Sequence, residues 1–380
     1  MSARGEVIRR GWPVTVALAV LAACAPDPDL PGVGERPAAS ACAGRPAPQG
    51  PYAPHRPFAS MPSRVITATV DGQPRYGLAS PDGGVSVAPI YDDLLYIDGD
   101  DAFGVQCRPD GSDGTFHGFL RADGREVVPP VFHEAWRGGD GLFVVGWRGG
   151  RHGQHTREGY VGPDGLIAIP MIYRDAGTFE GGQAVVWTQD DETAIIDPSG
   201  AFVVPPGRFA HFEARSEGLR AARAPDAEGG LYGYIDDAGA WVIPPAYGFT
   251  LPFEEGFAVV TRPTGDGFGT DVTRGNGVID RTGHVVVPLD YAHVALIGHR
   301  GAWTDTLAAL SAERAFIVEA EAPYGHVGAT RLLRTDGQPL TRWYAPQEGF
   351  VETLRAEAEA GGGWAPVPGA APLPSKPIDF

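Results

Sequence analysis

The side chains that could do chemistry are few, and most are far apart along the chain. The three cysteines, Cys24, Cys42 and Cys107, show no C-x-x-C spacing, which argues against a redox motif or a thiolate zinc site. No nucleophile elbow, phosphate-binding glycine loop or HExxH motif is present. The sequence therefore predicts no catalytic residue, cofactor or metal site, and we do not expect an enzyme.

Weaker candidates are also better explained without chemistry. His152 and His155 lie in a glycine-rich insertion, 148–158, where a solvated loop is favoured over a metal site. Neither of two acidic runs fits a calcium loop; these are Asp98, Asp100 and Asp101, and Asp190, Asp191 and Glu192. Three tryptophans could line a ligand surface, but their positions in the strands favour core packing: Trp136, Trp147 and Trp187.

Composition indicates many short strands joined by tight turns, since the chain has 54 Gly and 36 Pro and a good supply of Val, Tyr, Phe and Trp. The formal charge is −17, and loss of residues 1–23, with three arginines and one glutamate, leaves −19. This charge repels nucleic acid. Solubility explains it better than a cationic partner, which would require clustered carboxylates.

The N-terminus predicts export. Residues 1–10 carry the positive charge, and residues 11–23 are almost wholly apolar or small. This order is that of a secretory signal peptide, and its apolar stretch is too short for a membrane span.

The end of this segment, Leu21-Ala22-Ala23-Cys24, resembles a lipobox, the bacterial lipoprotein signal whose cysteine is acylated and begins the mature protein. The resemblance implies that Cys24 carries acyl chains that anchor the protein to a membrane. No aspartate follows Cys24, which by the same resemblance favours the outer membrane, facing the periplasm or the cell surface. An ordinary cleaved signal that ends near a cysteine is the alternative.

Residues 24–58 are rich in Pro, Ala and Gly without a hydrophobic period. They predict a disordered or polyproline-like tether that holds the body away from the bilayer. With Cys24 acylated, Cys42 in the tether and Cys107 in the body remain, and export permits a disulfide. Spacing leaves a Cys42–Cys107 disulfide and two free thiols equally open.

One segment recurs along the body: a turn ending in Gly, an apolar strand, one or two prolines and an aromatic residue. Gly at the hairpin end permits positive φ, Pro ends strand pairing, and the aromatic ring caps a core between units. The interval from Gly to aromatic is 8 residues in five copies and 9 in one, although the copies lie 35 to 44 residues apart. The pairs are Gly83 and Tyr91, Gly124 and Phe132, Gly165 and Tyr173, Gly200 and Phe209, Gly239 and Tyr247, and Gly283 and Tyr291.

Over about residues 64–300 the chain resembles the WG-repeat family, whose units read approximately Glu-Gly-Leu-x-x-Val, Trp/Tyr-Gly-Phe/Tyr-Ile-Asp, a Gly turn and Val-Ile-Pro-Pro-x-Tyr. The fifth copy, 218–256, matches best. The namesake Trp is replaced by Tyr76, His117, Glu158 or Tyr232. The resemblance implies a repeated β-structure but no common activity or catalytic set.

The sixth copy offers four candidate strands: Phe257–Thr261, Asn276–Asp280, His284–Val287 and Tyr291–Leu296. Four strands per unit of about 40 residues is typical of a propeller blade. We therefore predict an all-β fold of tandem repeats, with a β-propeller of six or seven blades favoured over an open stack of β-meanders.

These patterns divide the chain into five parts. They are a signal peptide at 1–23, a tether at 24–58, six repeats at 59–303, a short helix (Thr304–Arg314) with a degenerate seventh repeat at 304–345, and a helix with a disordered tail at 346–380.

We expect a non-catalytic binding or scaffolding module, anchored to the membrane by lipid, with a protein or glycan partner that the sequence does not identify. The alternative is an envelope hydrolase or lyase whose acid and base come from loops of different blades. A purely structural spacer is a third reading.

Overall fold

The computed structural model describes residues 30–38, 40–50, 52–54, 64–97, 102–109, 114–149, 155–263, 275–296, 315–320 and 328–345, together with Phe350, Thr353 and Ala356. Cys24 and the predicted helix Thr304–Arg314 lie outside these residues. Of the predicted helix in 346–360, Phe350, Thr353 and Ala356 have helical backbone. Within the described part of the chain, no helix is long and apolar enough to cross a membrane.

The chain divides into two compact units, Met1–Pro206 and Gly207–Phe380. The first unit contains four sheets, each of four antiparallel strands in chain order. Their strands are β1 (Ala53–Pro54), β2 (Arg64–Val70), β3 (Gln73–Ala79) and β4 (Val85–Tyr91); β5 (Asp93–Ile97), β6 (Ala102–Cys107), β7 (Phe116–Arg121) and β8 (Glu126–Phe132); β9 (Glu134–Gly139), β10 (Leu142–Gly149), β11 (His155–Val161) and β12 (Ile167–Tyr173); and β13 (Asp175–Ala176), β14 (Ala184–Trp187), β15 (Thr193–Ile196) and β16 (Phe202–Val204).

The second unit contains a four-stranded and a six-stranded antiparallel sheet. Their strands are β17 (His211–Ser216), β18 (Leu219–Arg223), β19 (Tyr232–Ile235) and β20 (Trp241–Tyr247); and β21 (Phe249–Thr250), β22 (Phe257–Thr261), β23 (Asn276–Asp280), β24 (Val285–Leu296), β25 (Ala315–Ala320) and β26 (Thr330–Arg334). A short 3-10 turn lies at Asp226–Glu228. The predicted all-β repeat of four-stranded, blade-like sheets is thus confirmed.

The four-stranded structural unit begins two residues after the repeat aromatic of the preceding copy. The strands predicted for the sixth copy began later, at Phe257. Predicted strands at 284–287 and 291–296 are one continuous strand, β24. Its second half pairs with β25 through Val294 and Val318, so it belongs to the seventh repeat. That repeat ends in isolated bridges, Thr330 to Tyr344 and Leu333 to Pro339.

A close approach between third and fourth strands shapes five of the six clear repeats, at Gly77, Gly118, Gly159, Gly233 and Gly277, whereas Ala194 takes this place in the fourth. The fourth strand bulges where it crosses the third-strand glycine, as the register shift beside Gly159 shows. A Cβ atom on Gly159 would lie 2.6 Å from the Ile169 carbonyl oxygen, and one on Gly233 would lie 2.5 Å from that of Ile243. No larger residue fits there without moving the backbone.

Each bulge delivers the repeat aromatic into a core shared by neighbouring sheets. All six predicted aromatics are buried: Tyr91, Phe132, Tyr173, Phe209, Tyr247 and Tyr291. In the first unit, Tyr173 of β12 packs with Tyr160 of β11 and with Val186 of β14. The turn glycines that precede them all have positive φ: Gly83, Gly124, Gly165, Gly200, Gly239 and Gly283.

The described part of the predicted tether, residues 30–54, packs on the first unit rather than extending away from it. Gly34 donates to the Ile167 carbonyl of β12 at 2.8 Å, and Ile167 donates to Glu35 at 2.9 Å. Ala41 then donates to the Pro130 carbonyl of β8 at 3.1 Å. The carbonyl and amide groups that it contacts belong to edge strands, which have no neighbouring strand on that side. This contact is tertiary, and composition does not encode it.

Two side-chain links fasten this segment. Cys42 and Cys107 form a disulfide with a Cα–Cα distance of 5.8 Å. Arg45 donates to Asp92 at 2.8 Å and to the Ile90 carbonyl at 2.9 Å. The segment therefore joins the edges of three successive sheets.

We expect Cys42→Ser to lower the free energy of unfolding, because the disulfide closes a loop of sequence separation 65. The expected loss is about 2–4 kcal/mol. Urea unfolding with and without reductant checks this, with Cys42→Ser/Cys107→Ser as the control that does not respond to reductant. Equal stability of the oxidised and reduced wild-type chain would contradict it.

Candidate functional site

In each sheet, one residue from each strand pairs with its neighbours at the same level, and we call this line of paired residues the register row. On the third strand, the row residue is the one before the glycine. Side chains paired at one level share a face of the sheet. From first to fourth strand, the rows are Ala53, Thr67, Tyr76 and Tyr91; Asp93, Gln106, His117 and Phe132; Glu134, Gly146, Glu158 and Tyr173; Asp175, Trp187 and Thr193; His211, Arg223, Tyr232 and Tyr247; and Phe249, Thr261, Asn276 and Tyr291.

The row of the third sheet brings two carboxylates to either side of a glycine. Glu134 and Glu158 pair with Gly146 from the neighbouring strands. A Cβ atom on Gly146 would lie 3.2 Å from Glu134 Cβ, 3.4 Å from Glu134 Oε2 and 3.4 Å from Glu158 Cγ. The two glutamate side chains therefore already occupy the space beside Gly146. Other second-strand row positions carry side chains: Thr67, Gln106, Trp187, Arg223 and Thr261.

Glu158 is an unusual glutamate because its residue is only 5% exposed. Its Oε2 accepts a hydrogen bond of 2.7 Å from the Ala176 amide. Burial raises the pKa of Glu158 to about 7, and the nearby charges of Asp175 and Glu134 add to the shift although the amide opposes it. Near neutral pH this carboxyl therefore exchanges between protonated and ionised forms.

Glu134 has a different environment. Its Oε1 accepts from the Arg148 guanidinium, and its side chain is about a quarter exposed. The third sheet thus sets a buried carboxyl of raised pKa opposite a more exposed, ion-paired one.

Two histidines border the same carboxylates. Burial lowers the pKa of His117, and Arg148 lowers it further against the attraction of Glu134. Burial and Arg148 likewise lower the pKa of His133, whose ring packs 4.8 Å from Trp147 and 5.1 Å from Phe116. Both imidazoles are therefore neutral at pH 7.

These interactions connect three successive sheets of the first unit. Glu134 of the third sheet acts on His117 of the second, and Asp175 of the fourth acts on Glu158 of the third. We call the set His117, Glu134, Arg148, Glu158 and Asp175 the acidic belt. It can bind a cation, and it holds the acid and base forms that proton transfer needs.

Among the described residues, one group of metal-type ligands lies within 4.8 Å of one another: Cys42, Asp92 and Cys107. The two sulfurs are bonded to each other. Asp92 accepts from Arg45, from Arg75 and from the Arg108 amide. This arrangement is an ion-paired disulfide anchor, and its ligand atoms are already occupied.

The second unit has a cavity of a different kind. It has a volume of about 320 Å³ and an almost wholly apolar lining that includes Leu251, Phe257, Val294 and Phe316. Such a lining could take an apolar group, but it offers no acid or base beyond Glu254.

The residues singled out from the sequence lie mostly away from the belt. His152, Asp98, Asp100 and Asp101 are outside the described residues, and the backbone of His155 begins β11. Asp191 pairs with Arg174 in a turn. Trp136 and Trp147 pack against the cores, as expected, whereas Trp187 lies on a register row.

Sequence reasoning missed the acidic belt. A signal was present, because the residue two places after the repeat aromatic begins the register row. That residue is Asp93, Glu134, Asp175 or His211 in four successive copies. The second signal was the substitution of the namesake tryptophan by His117 and Glu158, which pair at the same level of their sheets.

Comparison with known proteins supports the repeat family. Residues 232–262 match the family model described as "WG containing repeat". No curated protein matches the chain.

Solved structures that resemble the chain include an initiation factor, BamB and a designed protein, all at low identity. The crystal structure of the eukaryotic initiation factor is 10% identical, with 80% of this chain and 88% of that chain covered and a TM-score of 0.34. BamB from Moraxella catarrhalis is 10% identical, with 73% and 77% covered and a TM-score of 0.27. The computationally designed Ika8 protein is 13% identical, with 76% and 85% covered and a TM-score of 0.29.

We expect the raised pKa of Glu158 to make stability fall as pH rises from 4.5, its ordinary value, to about 7. In this window the folded chain holds a proton that the unfolded chain has lost. The contribution is complete below the lower value and is lost through the upper one, by up to about 1.4 kcal/mol per pH unit.

Urea unfolding of the wild-type chain and of Glu158→Gln from pH 4 to 8 measures this contribution. As pH rises, the unfolding free energy of the wild-type chain should fall relative to that of Glu158→Gln. A difference that stays constant with pH would show that Glu158 titrates normally.

Proposed function

We propose that the protein is an envelope-anchored, non-catalytic binding or scaffolding module, and that the acidic belt of its first unit contacts the partner. Cys24 carries the lipid anchor after export, by the lipobox resemblance, and the outer membrane is the favoured site. The repeats supply the rigid frame. A protein or a glycan is the partner class.

The observation that carries this proposal is the contrast between two kinds of position in each repeat. The third-strand glycine, present in five of the six clear repeats, and the buried repeat aromatic are kept because packing requires them. The adjoining row positions change chemistry from sheet to sheet, from Tyr76 to His117 to Glu158. Constant frames with variable polar positions are typical of repeat proteins that bind partners.

The anchor places this surface near the bilayer. Leu30 already packs against the core between the second and third sheets. Only the five residues 25–29 separate it from Cys24, and the six steps from Cys24 to Leu30 reach at most about 20 Å. The module therefore lies close to the membrane rather than on a long tether.

Capture of partners from envelope extract with the purified full chain tests the binding role. We expect Glu134→Gln/Asp175→Asn to weaken the affinity for the wild-type partners by about thirtyfold, since each of the two lost charge contacts costs on the order of 1 kcal/mol. Glu228→Gln/Asp123→Asn, two exposed acids that do not belong to the belt, is the control with the same charge change. Equal recovery by both double variants would rule out the belt as the contact surface.

The anchor is tested separately. We expect Cys24→Ser to move the protein from the membrane fraction to the soluble fraction of cells, because the acyl chains supply the membrane affinity. Mass spectrometry of the wild-type N-terminal peptide should show acylated Cys24. An unmodified Cys24 in a membrane-free protein would contradict the proposal.

One observation favours a second function, an envelope hydrolase or lyase. Glu158, whose pKa burial raises to about 7, lies on the same row as Glu134, and two carboxyls at one site can serve acid–base catalysis. Turnover of an envelope glycan or ester that both Glu158→Gln and Glu134→Gln abolish would establish this function. Inactivity of the wild-type chain on a broad panel leaves the binding module.

A further inference from the structure

We propose that the apolar cavity of the second unit binds a small, uncharged aromatic molecule of about two rings. The cavity lies between the sixth sheet and the seventh repeat, with Phe257 of β22 on one side and Val294 of β24 and Phe316 of β25 on the other. This inference concerns a site other than the acidic belt and goes beyond the proposed binding function.

The cavity arises where one strand serves two repeats. At the preceding junction Gly248 separates β20 from β21, and these two strands belong to different sheets. In contrast, β24 runs unbroken over Val285–Leu296 and pairs with β23 and then with β25. Two strands lie between β22 and β25 in this sheet, yet the rings of Phe257 and Phe316 are 5.2 Å apart. The sheet therefore folds over at β24 and encloses the cavity.

The side chains around the cavity present apolar surface that the core does not fully cover. Leu251 is 45% exposed. Four further lining residues are only partly buried, although they pack against a core of buried side chains: Phe257, Val259, Val294 and Leu296. Protein interiors leave few voids larger than a water molecule. A cavity of about 320 Å³ with a continuous apolar lining has the size and character of a small-molecule site.

The lining selects apolar shape rather than hydrogen-bonding groups. Of the described residues that line the cavity, Glu254 alone has a polar side chain. Backbone groups of the lining pair with one another, since the Leu251 amide donates to the Val259 carbonyl at 2.9 Å and Glu254 and Phe257 exchange two hydrogen bonds. A ligand with several polar groups would lose hydration here without replacing it.

Charge disfavours ionised ligands of either sign. An anion would meet the carboxylate of Glu254 in surroundings of low dielectric, on a chain whose formal charge is −17. A cation would lose its hydration, and Glu254 already interacts within the chain, so it is not reserved as a counter-ion. The favoured ligand is therefore uncharged.

Volume and ring geometry favour an aromatic small molecule. A cavity of about 150 Å³ takes one benzene, so about 320 Å³ takes roughly two rings. A tryptophan side chain, the largest that a protein partner could insert, is smaller and brings an N–H that needs an acceptor. The rings of Phe257 and Phe316 meet edge to face at 89°, and a bound aromatic ring extends such contacts in a way that an alkyl chain does not.

The test is an NMR titration of the isotope-labelled full chain with 2-naphthalenemethanol. The chain carries Cys24→Ser, so that neither an acyl chain nor detergent competes for the cavity. We expect saturable shifts of the Val259 and Phe316 amides, with a Kd on the order of 0.1 mM. The anion 2-naphthoate, which has the same ring system, should bind about tenfold more weakly. The alkyl probe 1-decanol should also bind more weakly than the aromatic alcohol.

Variants of the lining test the placement. Ala295 is an exposed residue of the lining, and Ala295→Phe should weaken binding of the aromatic alcohol by about tenfold or more because the new ring takes up the cavity. Ala240→Phe changes an exposed alanine of the same unit outside the lining and should bind as the parent chain does. Glu254→Gln should reduce the preference for the alcohol over 2-naphthoate by about fivefold. Circular dichroism establishes that each variant is folded.

Absence of saturable binding of 2-naphthalenemethanol to the parent chain, or equal binding by Ala295→Phe and Ala240→Phe, would overturn the inference. Equal or tighter binding of 1-decanol would overturn the aromatic assignment. Shifts of the same amides that depend on protein concentration without ligand would show a second copy in the cavity and would also overturn it. Partner capture that depends on Glu134 and Asp175 would leave the proposed function standing in each case.

Discussion

The close contact between the third and fourth strands of each repeat is the constraint on which the rest depends. At Gly118 a Cβ atom would lie 2.3 Å from the Val128 carbonyl oxygen, so only glycine lets the fourth strand cross there. The crossing bends the chain and turns the aromatic into the core between sheets. The seventh repeat illustrates the rule, because Arg331 replaces this glycine and its fourth strand is reduced to isolated bridges.

The same contact explains why the candidate site lies where it does. The residue before the glycine is held by strand pairing on both sides, with little freedom to move. Its identity is not needed for the crossing, so polar residues can occupy it. In the third sheet this residue is Glu158, and the low dielectric around it keeps a proton on its carboxyl near neutral pH. Polar and titratable residues are thus placed at positions whose identity the strand crossing does not require.

The N-terminal segment adds a second level of organisation to the first unit. Its backbone pairs with two sheet edges, and the Cys42–Cys107 disulfide and Arg45 fasten it beside them. Covered edges are protected against pairing with other chains.

The sequence by itself determined the strand-rich repeats, their turn glycines and their buried aromatics, because these depend on local φ preference and on short-range alternation. It also suggested the anchor at Cys24, a covalent signal read before folding. Tertiary structure alone decided which side chains meet. Glu134 and Glu158 are 24 positions apart in the sequence, and only strand pairing through Gly146 sets them on one face. Composition likewise predicted a tether over residues 24–58; the packing of residues 30–38, 40–50 and 52–54 on the first unit was missed because edge pairing and a long-range disulfide leave no periodic pattern.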